Sequence, residues 1–377
     1  MAGFNLNDTI TDSIKAEASI LLEQQAEASE SKGLFTVKSA TKWIEQAKNR
    51  PIPKMLFGQL WFEDELCILF ADTNLGKSIL AVQIGNSISK NEAIKGFVLE
   101  ADRQPVLYFD FELSDKQFEA RYSDNFTNHY PFDSDFIRVE INPNSEIPTD
   151  TDFETYLNQS LERTVSDTGA KVLIIDNLTY LRSGTETAKD ALPLMKHLKA
   201  LKSKYNLSIL VLAHTPKRDL YKPITRNDLQ GSKMLINFCD SSFAIGESFT
   251  DKHLRYIKQI KQRNCGSIYD TDNIVVCEIV KPDNFLQFEF IGYGKEREFL
   301  RVPSDKEKTE LETIVGQLKE EGGTVRDIAK ELQISKSQVG RIIKKLSVPC
   351  PRGMGQRGTA DTWDSGTGTK TDAKLPF

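Results

Sequence analysis

The stretch with the most chemistry in it is ADTNLGKS, Ala71 to Ser78, set between the apolar run LCILF and the helix-prone run ILAVQIGNSIS. A loop joining a strand to a helix in this way aims successive backbone N–H groups at one point. The helix dipole adds positive potential there, so a polyphosphate is held. Ala71, Asp72, Thr73, Asn74, Leu75 and Gly76 supply the cradle, Lys77 reaches the β- and γ-phosphates, and the Ser78 hydroxyl ligates Mg²⁺. The bound pair expected from these residue types is ATP with Mg²⁺. Ala71 departs from the pattern, which has glycine at its first position, and a methyl group there disfavours positive φ.

Hydrolysis needs a second metal-side acid and a group that orients and deprotonates water. KVLIIDNL ends a fully apolar strand on Asp176, where the strand opens on a ligand crevice and an ionised carboxylate escapes full burial. Asp176 is therefore the expected Walker-B acid and, with Ser78, the metal site. VLYFDFELSDKQFEAR offers Asp110 and Glu112, two apart and so on one face of a single strand. Glu112, closer to the nucleotide, is the expected base, although spacing alone does not separate it from Asp110.

These residues need a scaffold, and short apolar runs alternating with helical stretches supply one. The runs LCILFAD, PVLYFDFE, FIRVEI, KVLIIDNL, LSILVLAHT and SSFAIG alternate with SILAVQIGNSISK, SDKQFEARYSDNF and DALPLMKHLKALKSKYN. Near-continuous apolar strands between amphipathic helices predict an α/β fold with a mostly parallel sheet covered on both faces. LRYIKQIKQRN and NIVVCEIVKPDNFLQFEFIGYG predict antiparallel strands, with a turn at Pro282-Asp283-Asn284. The 377 residues divide into a helix-prone leader (1–50), a large α/β domain (51–300), a helical module (304–348) and a disordered tail (349–377) rich in Gly, Thr and Lys.

With 39% hydrophobic and 27% charged residues, composition excludes a wholly disordered chain. No apolar run reaches the length of a spanning helix, and no export signal opens the sequence. A cytoplasmic protein without membrane contact is expected. The five cysteines form no C-x-x-C pair, which speaks against a zinc site or disulfide framework. A net charge of -5 means that any nucleic-acid binding comes from local basic patches.

Over residues 55–294 several segments together resemble the RecA-like hexameric helicases, the replicative DnaB-type group and especially the smaller plasmid RepA-type ATPases. In that group the second core strand ends in a catalytic glutamate followed by L/M-S-x-x-Q and an arginine, matched here by Glu112-Leu113-Ser114, Gln117 and Arg121. The resemblance thus favours Glu112 over Asp110. It also implies that His214, in LVLAHTPK, senses the γ-phosphate, and that Lys261 and Arg263, in KQRN, complete the nucleotide site of a neighbouring subunit. A finger acting in trans implies a homo-oligomer, a hexamer by the resemblance.

Two segments are candidates for DNA. In 215–232, Lys217, Arg218, Lys222 and Arg226 surround Tyr221, and in a RecA-like ring a loop here faces the central channel, where single-stranded DNA passes. Residues 304–348 are expected to form three helices, with Ile328, Ala329 and Leu332 packed on Val339, Ile342, Ile343 and Leu346, a turn at Gln333-Ile334 and Ser335 as N-cap. The module resembles helix-turn-helix and winged-helix domains, which implies that Lys336, Gln338, Arg341, Lys344 and Lys345 face duplex DNA. The expected function is an ATP-driven RepA-type helicase or translocase of a plasmid or mobile element. The alternative is a nucleotide-switched DNA-binding regulator that does not unwind.

Overall fold

A computed structural model of the protein describes residues 35–178, 191–216, 218–229, 232–302, 304–332, 334 and 336–346. Its contacts fall into two units, Met1–Arg301 and Val302–Phe377. Of the leader, only the part from residue 35 lies inside the described residues, and the tail lies outside them.

The first unit runs through helix α1 (Ala40–Lys48), a short hairpin of β1 (Met55–Phe57) and β2 (Trp61–Phe62), strand β3 (Leu66–Ala71) and helix α2 (Lys77–Lys90). Next come β4 (Val106–Asp110), α3 (Asp115–Arg121), a hairpin of β5 (Ser123–Asp124) and β6 (Asn128–His129), β7 (Phe136–Val139) and α4 (Phe153–Thr168). The alternation continues with β8 (Val172–Asp176), α5 (Ala191–Tyr205), β9 (Ser208–His214), α6 (Ser232–Phe238) and β10 (Ser241–Glu247). Three strands in succession then follow, β11 (Leu254–Lys261), β12 (Ile274–Val280) and β13 (Gln287–Gly294).

One nine-stranded sheet collects most of these in the order β13-β12-β11-β10-β3-β9-β8-β4-β7. From β10 to β7 all neighbours are parallel, and β11, β12 and β13 extend the sheet as an antiparallel meander. The period-2 alternation of β3 divides it between two cores: Cys67, Leu69 and Ala71 enter one with α2, while Leu66, Ile68 and Phe70 enter the other with α4, α5 and α6. Burial on both faces is why these strands read as unbroken apolar runs. The mixed α/β architecture fits a RecA-like core. The phosphate loop, Asp176 and His214 all stand at the C-terminal ends of neighbouring strands β3, β8 and β9.

Two local expectations change. The helix expected over SDKQFEARYSDNF stops at Arg121, because Tyr122 is buried against Phe118, Phe132 and Phe285, and Ser123 and Asp124 then pair with His129 and Asn128. Asp110 and Glu112 do not share a strand face: β4 ends at Asp110 and the chain turns, so the two carboxylates diverge. Among the described residues no helix is long and apolar enough to cross a membrane.

The second unit contains α7 (Asp305–Glu320), α8 (Val325–Glu331) and α9 (Lys336–Leu346). Val315, Ile328, Ala329 and Val339 form its small core, with Leu332, Ile342 and Ile343 packed around them. Leu346, expected in that core, is instead exposed at the end of α9. Thr324 caps α8 in a reciprocal pair with Asp327. Gln333 and Ser335, the expected turn and N-cap, lie outside the described residues.

Candidate functional site

Ala71 is fully buried as the last residue of β3 and pairs with His214 across the β3–β9 ladder. The left-handed positions of the loop are Asn74 (φ 64°) and Gly76 (φ 93°), so alanine in place of the first glycine costs no strain. Gly76 is the position that needs glycine: besides its φ, an added Cβ would come within 2.8 Å of Ile279 and 2.9 Å of Phe288. Lys77 opens α2, and its ammonium donates to the Ala71 and Asp72 carbonyls, both at 3.1 Å, and to His214 Nδ1 at 3.2 Å. Burial draws the Lys77 pKa down, and the charges of Asp176, Glu112 and Asp72 oppose that shift.

The acids converge on the same place. Asp176 does not escape burial as expected: it is wholly buried at the end of β8 and accepts a bond from the Tyr108 hydroxyl at Oδ2 (2.8 Å). Its Oδ1 is buried with no partner of good geometry, although the Ser78 hydroxyl is close enough to draw the pKa down. Burial outweighs that contribution and pushes the carboxyl up to about 6. A buried carboxylate oxygen lacking a donor beside a serine hydroxyl is the donor set that a hard divalent cation takes, so Mg²⁺ fits Ser78 and Asp176.

Glu112, half-buried, takes a hydrogen bond from Asn177 Nδ2 and lies 3.5 Å from His214 Nε2. Asn177 follows Asp176 through a cis peptide, and its Nδ2 is 3.2 Å from His214 Nε2. Lys77 can only donate, so Nδ1 of His214 accepts and the neutral ring carries its proton on Nε2, toward Glu112. The hydrogen bond from His214 holds the Glu112 carboxyl below its usual range against partial burial, with Lys77 and Asn177 acting in the same direction. At neutral pH Glu112 is thus a carboxylate, able to accept a proton but not to give one.

The raised pKa of Asp176 has a consequence for stability. A carboxyl that binds its proton more tightly in the folded state stabilises the fold at pH values below its unfolded value near 3.8. That contribution is lost as the pH rises through about 6. Asp176→Asn is therefore expected to stabilise the nucleotide-free protein at pH 8 by about 2–3 kcal/mol while abolishing Mg²⁺-dependent nucleotide binding. In thermal melts the gain should be largest above pH 6 and fade toward pH 4; a gain independent of pH would contradict it.

Residues 34–219 match the family model described as an AAA domain. The match supports a P-loop ATPase of the AAA and RecA-like kind over that stretch. The AAA domain contains the phosphate loop, Glu112, Asp176, Asn177 and His214, and it ends before the β10–β13 part of the sheet. No curated protein matches the chain. Tyr108 and Asn177 are members of the AAA-domain site that sequence reasoning missed. Asn177 adjoins Asp176, and a polar residue directly after a strand-end acid was the available signal.

Lys261 and Arg263 are not gathered into this site. β11 is antiparallel to β10, and Lys261 pairs with Ser242, which itself lies beside Ile68. Arg263 bonds Asp240 at 2.9 Å, and Asp240 bonds both backbone groups of Leu66, the first residue of β3. From Leu66 to the phosphate loop is roughly 16 Å of strand. Lys261 donates to the carbonyls of Ile236 and Cys239.

A cavity of about 400 Å³ opens beside the AAA-domain loop, lined by Asp72, Leu75, Thr215, Arg218, Phe249 and Phe299 among others. The segment 218–229 borders it. Within that segment Ile224 is held at both backbone groups: Lys258 donates to its carbonyl (2.8 Å) and its N–H donates to Glu296 (2.6 Å). Lys258 and Glu296 are both buried and form an ion pair at 2.5 Å. Arg218 donates to the Lys222 carbonyl, Lys222 pairs with Asp219 at 2.6 Å, and Arg226 is exposed on a 3₁₀ turn. The Arg301 guanidinium lies 5.1 Å from the Tyr221 ring centre, so one face of that ring is already covered. Lys217 lies outside the described residues. In the second unit, Lys336, Gln338, Arg341, Lys344 and Lys345 all belong to α9, and Lys345 pairs with Glu312 of α7 at 2.5 Å.

Proposed function

We propose that the protein is an oligomeric ATP-driven motor acting on DNA, a RepA-type helicase or translocase of a plasmid or mobile element. The observation that carries the reading is the division of parts within one chain. A triphosphate cradle with Lys77, Glu112, Asp176 and His214 stands at one end of the sheet, and Lys261 and Arg263 stand at the other. Within one subunit they cannot meet; in a ring of like subunits the far end of one would lie against the cradle of the next.

In this mechanism Lys77 leaves the carbonyls of Ala71 and Asp72 for the β- and γ-phosphate oxygens, and the loop N–H groups hold the remainder. Ser78 and Asp176 would hold Mg²⁺, which would supply positive charge against the phosphates. Glu112 orients the attacking water and accepts its proton, and the proton on His214 Nε2 is available to the γ-phosphate once Glu112 has turned to that water. Arg263 of a neighbour leaves Asp240 and stabilises charge on the transferring phosphoryl group. The nucleoside enters the cavity lined by Leu75, Phe249 and Phe299, whose volume of about 400 Å³ accommodates it.

The DNA contacts proposed are Lys217, Arg218, Lys222 and Arg226 for a single strand in the ring channel. The second unit, read as a helix-turn-helix domain of winged-helix-like type, offers α9 to duplex. The basic α9 also favours a second reading, a nucleotide-switched DNA-binding regulator without unwinding activity. The test is ATP hydrolysis with and without single-stranded DNA, sizing with nucleotide, and strand displacement, with Lys77→Ala as control. DNA-stimulated turnover in a hexamer-sized particle and displacement lost in Lys77→Ala support the motor. A footprint on one defined sequence without displacement would replace it with the regulator.

A further inference from the structure

Glu112 owes its position to neither a strand nor a helix. It sits in the turn that follows β4, and a turn of this kind holds a side chain still only if its backbone groups are fixed from outside. Here they are. Phe111 N–H donates to the Asp176 carbonyl at 2.9 Å. The N–H groups of Glu112 and Leu113 both donate to Asp110 Oδ1, at 3.1 and 3.0 Å. Asp110 Oδ2 accepts in turn from Arg138 Nε at 2.9 Å, and Arg138 Nη2 donates to the Leu113 carbonyl at 2.8 Å.

Arg138 comes from β7, the edge strand, directly across from Tyr108 of β4. Its side chain is 18% exposed and that of Asp110 is 0% exposed. The guanidinium also pairs with Asp115 at 2.9 Å and with Glu140, and it lies 4.6 Å from the Phe118 ring centre. Its planar fork therefore meets acceptors on β4, on the turn and on the start of α3 at once, which a lysine ammonium does not reproduce.

We propose that the Arg138–Asp110 pair is a positioning device for the water-activating carboxylate: it locks the 111–114 turn so that Glu112 points at Asn177 and His214, and ATP turnover depends on it although neither residue touches the nucleotide. The inference rests on the reading of Glu112 given above. Asp110, which the sequence offers as a rival base, is on this view the support of the base. Its two oxygens accept from two backbone donors and one guanidinium, and its side chain is 0% exposed.

A carboxylate displaced by about 1 Å loses on the order of 10²-fold in rate while the phosphate grip stays intact. The experiment is single-turnover ATP hydrolysis on the full chain, alongside titration with a fluorescent ATP analogue. The variants are Arg138→Ala, Arg138→Lys, Glu112→Gln and each Arg138 change combined with Glu112→Gln. Arg138→Ala should lower the rate on the order of 10- to 100-fold with nucleotide affinity changed less than about threefold, Arg138→Lys should recover part of the loss, and neither should lower the rate further in the Glu112→Gln background. Equal losses in both backgrounds would mean a merely structural ion pair and overturn the proposal, as would a wild-type rate in Arg138→Ala. If Arg138→Ala does not fold, Arg138→Lys in the two backgrounds decides in the same way. A wild-type rate in Glu112→Gln removes the catalytic reading itself and this proposal with it, whereas an inactive Glu112→Gln beside an active Arg138→Ala removes the proposal alone.

Discussion

Exchanging Glu112 for Gln is expected to lower the ATP turnover number by about 10²- to 10⁴-fold and to leave nucleotide binding intact. The amide has the size of the carboxylate and reaches the same neighbours but cannot take a proton from water. Lys77, Ser78 and the loop N–H groups, which grip the phosphates in our mechanism, are untouched, so KM should move little and the loss should fall in kcat. Steady-state kinetics combined with nucleotide titration separates the two. Unchanged turnover would move the base elsewhere. Asp110 is a poor substitute, because both its oxygens are already engaged by the turn and by Arg138.

Arg263→Ala should be as severe, a loss of about 10³- to 10⁵-fold if the guanidinium acts as a finger. The fold should survive, since Asp240 keeps Lys202 at 3.3 Å and the N–H of Leu66. The decisive measurement mixes the two defective proteins. In a closed oligomer each site would take Glu112 from one subunit and Arg263 from the next, so random mixing of equal amounts restores about a quarter of the sites. Activity that reappears on mixing Glu112→Gln with Arg263→Ala subunits establishes action in trans. A mixture as inactive as its components, or full activity from Arg263→Ala alone, would contradict it.

The sheet was legible in the sequence wherever burial is two-sided. The LCILFAD and KVLIIDNL runs become β3 and β8 because strands covered on both faces have no polar side to interrupt them. The phosphate loop was legible too, since its chemistry is local. Elements ruled by distant partners were not. The β1–β2 hairpin, at Met55–Phe57 and Trp61–Phe62, is too short to show a period, and the β5–β6 hairpin overrides a helical pattern because Tyr122 is drawn into an aromatic cluster that includes Phe285, far along the chain. The divergence of Asp110 and Glu112 was likewise hidden, because the Asp110 carboxylate that holds the turn after β4 is itself held by Arg138, 28 residues along the chain. Ala71 looked like a defect in the loop only while the position of the left-handed residues, Asn74 and Gly76, was unknown.

The buried Lys258–Glu296 pair holds Ile224 by its carbonyl and its N–H. That makes Ile224 a post, and the basic segment around it two short tethers instead of one free flap. Arg226 and Lys222 each lie two residues from the post, which limits the wandering of their backbone to about 7 Å. A polymer gripped there would be drawn against the body of the protein and stay in step with β11 and with the Glu296–Glu298 turn that secure the post. Cutting either member of the pair would lengthen the leash and leave a lone charge inside, at a cost of about 3–5 kcal/mol.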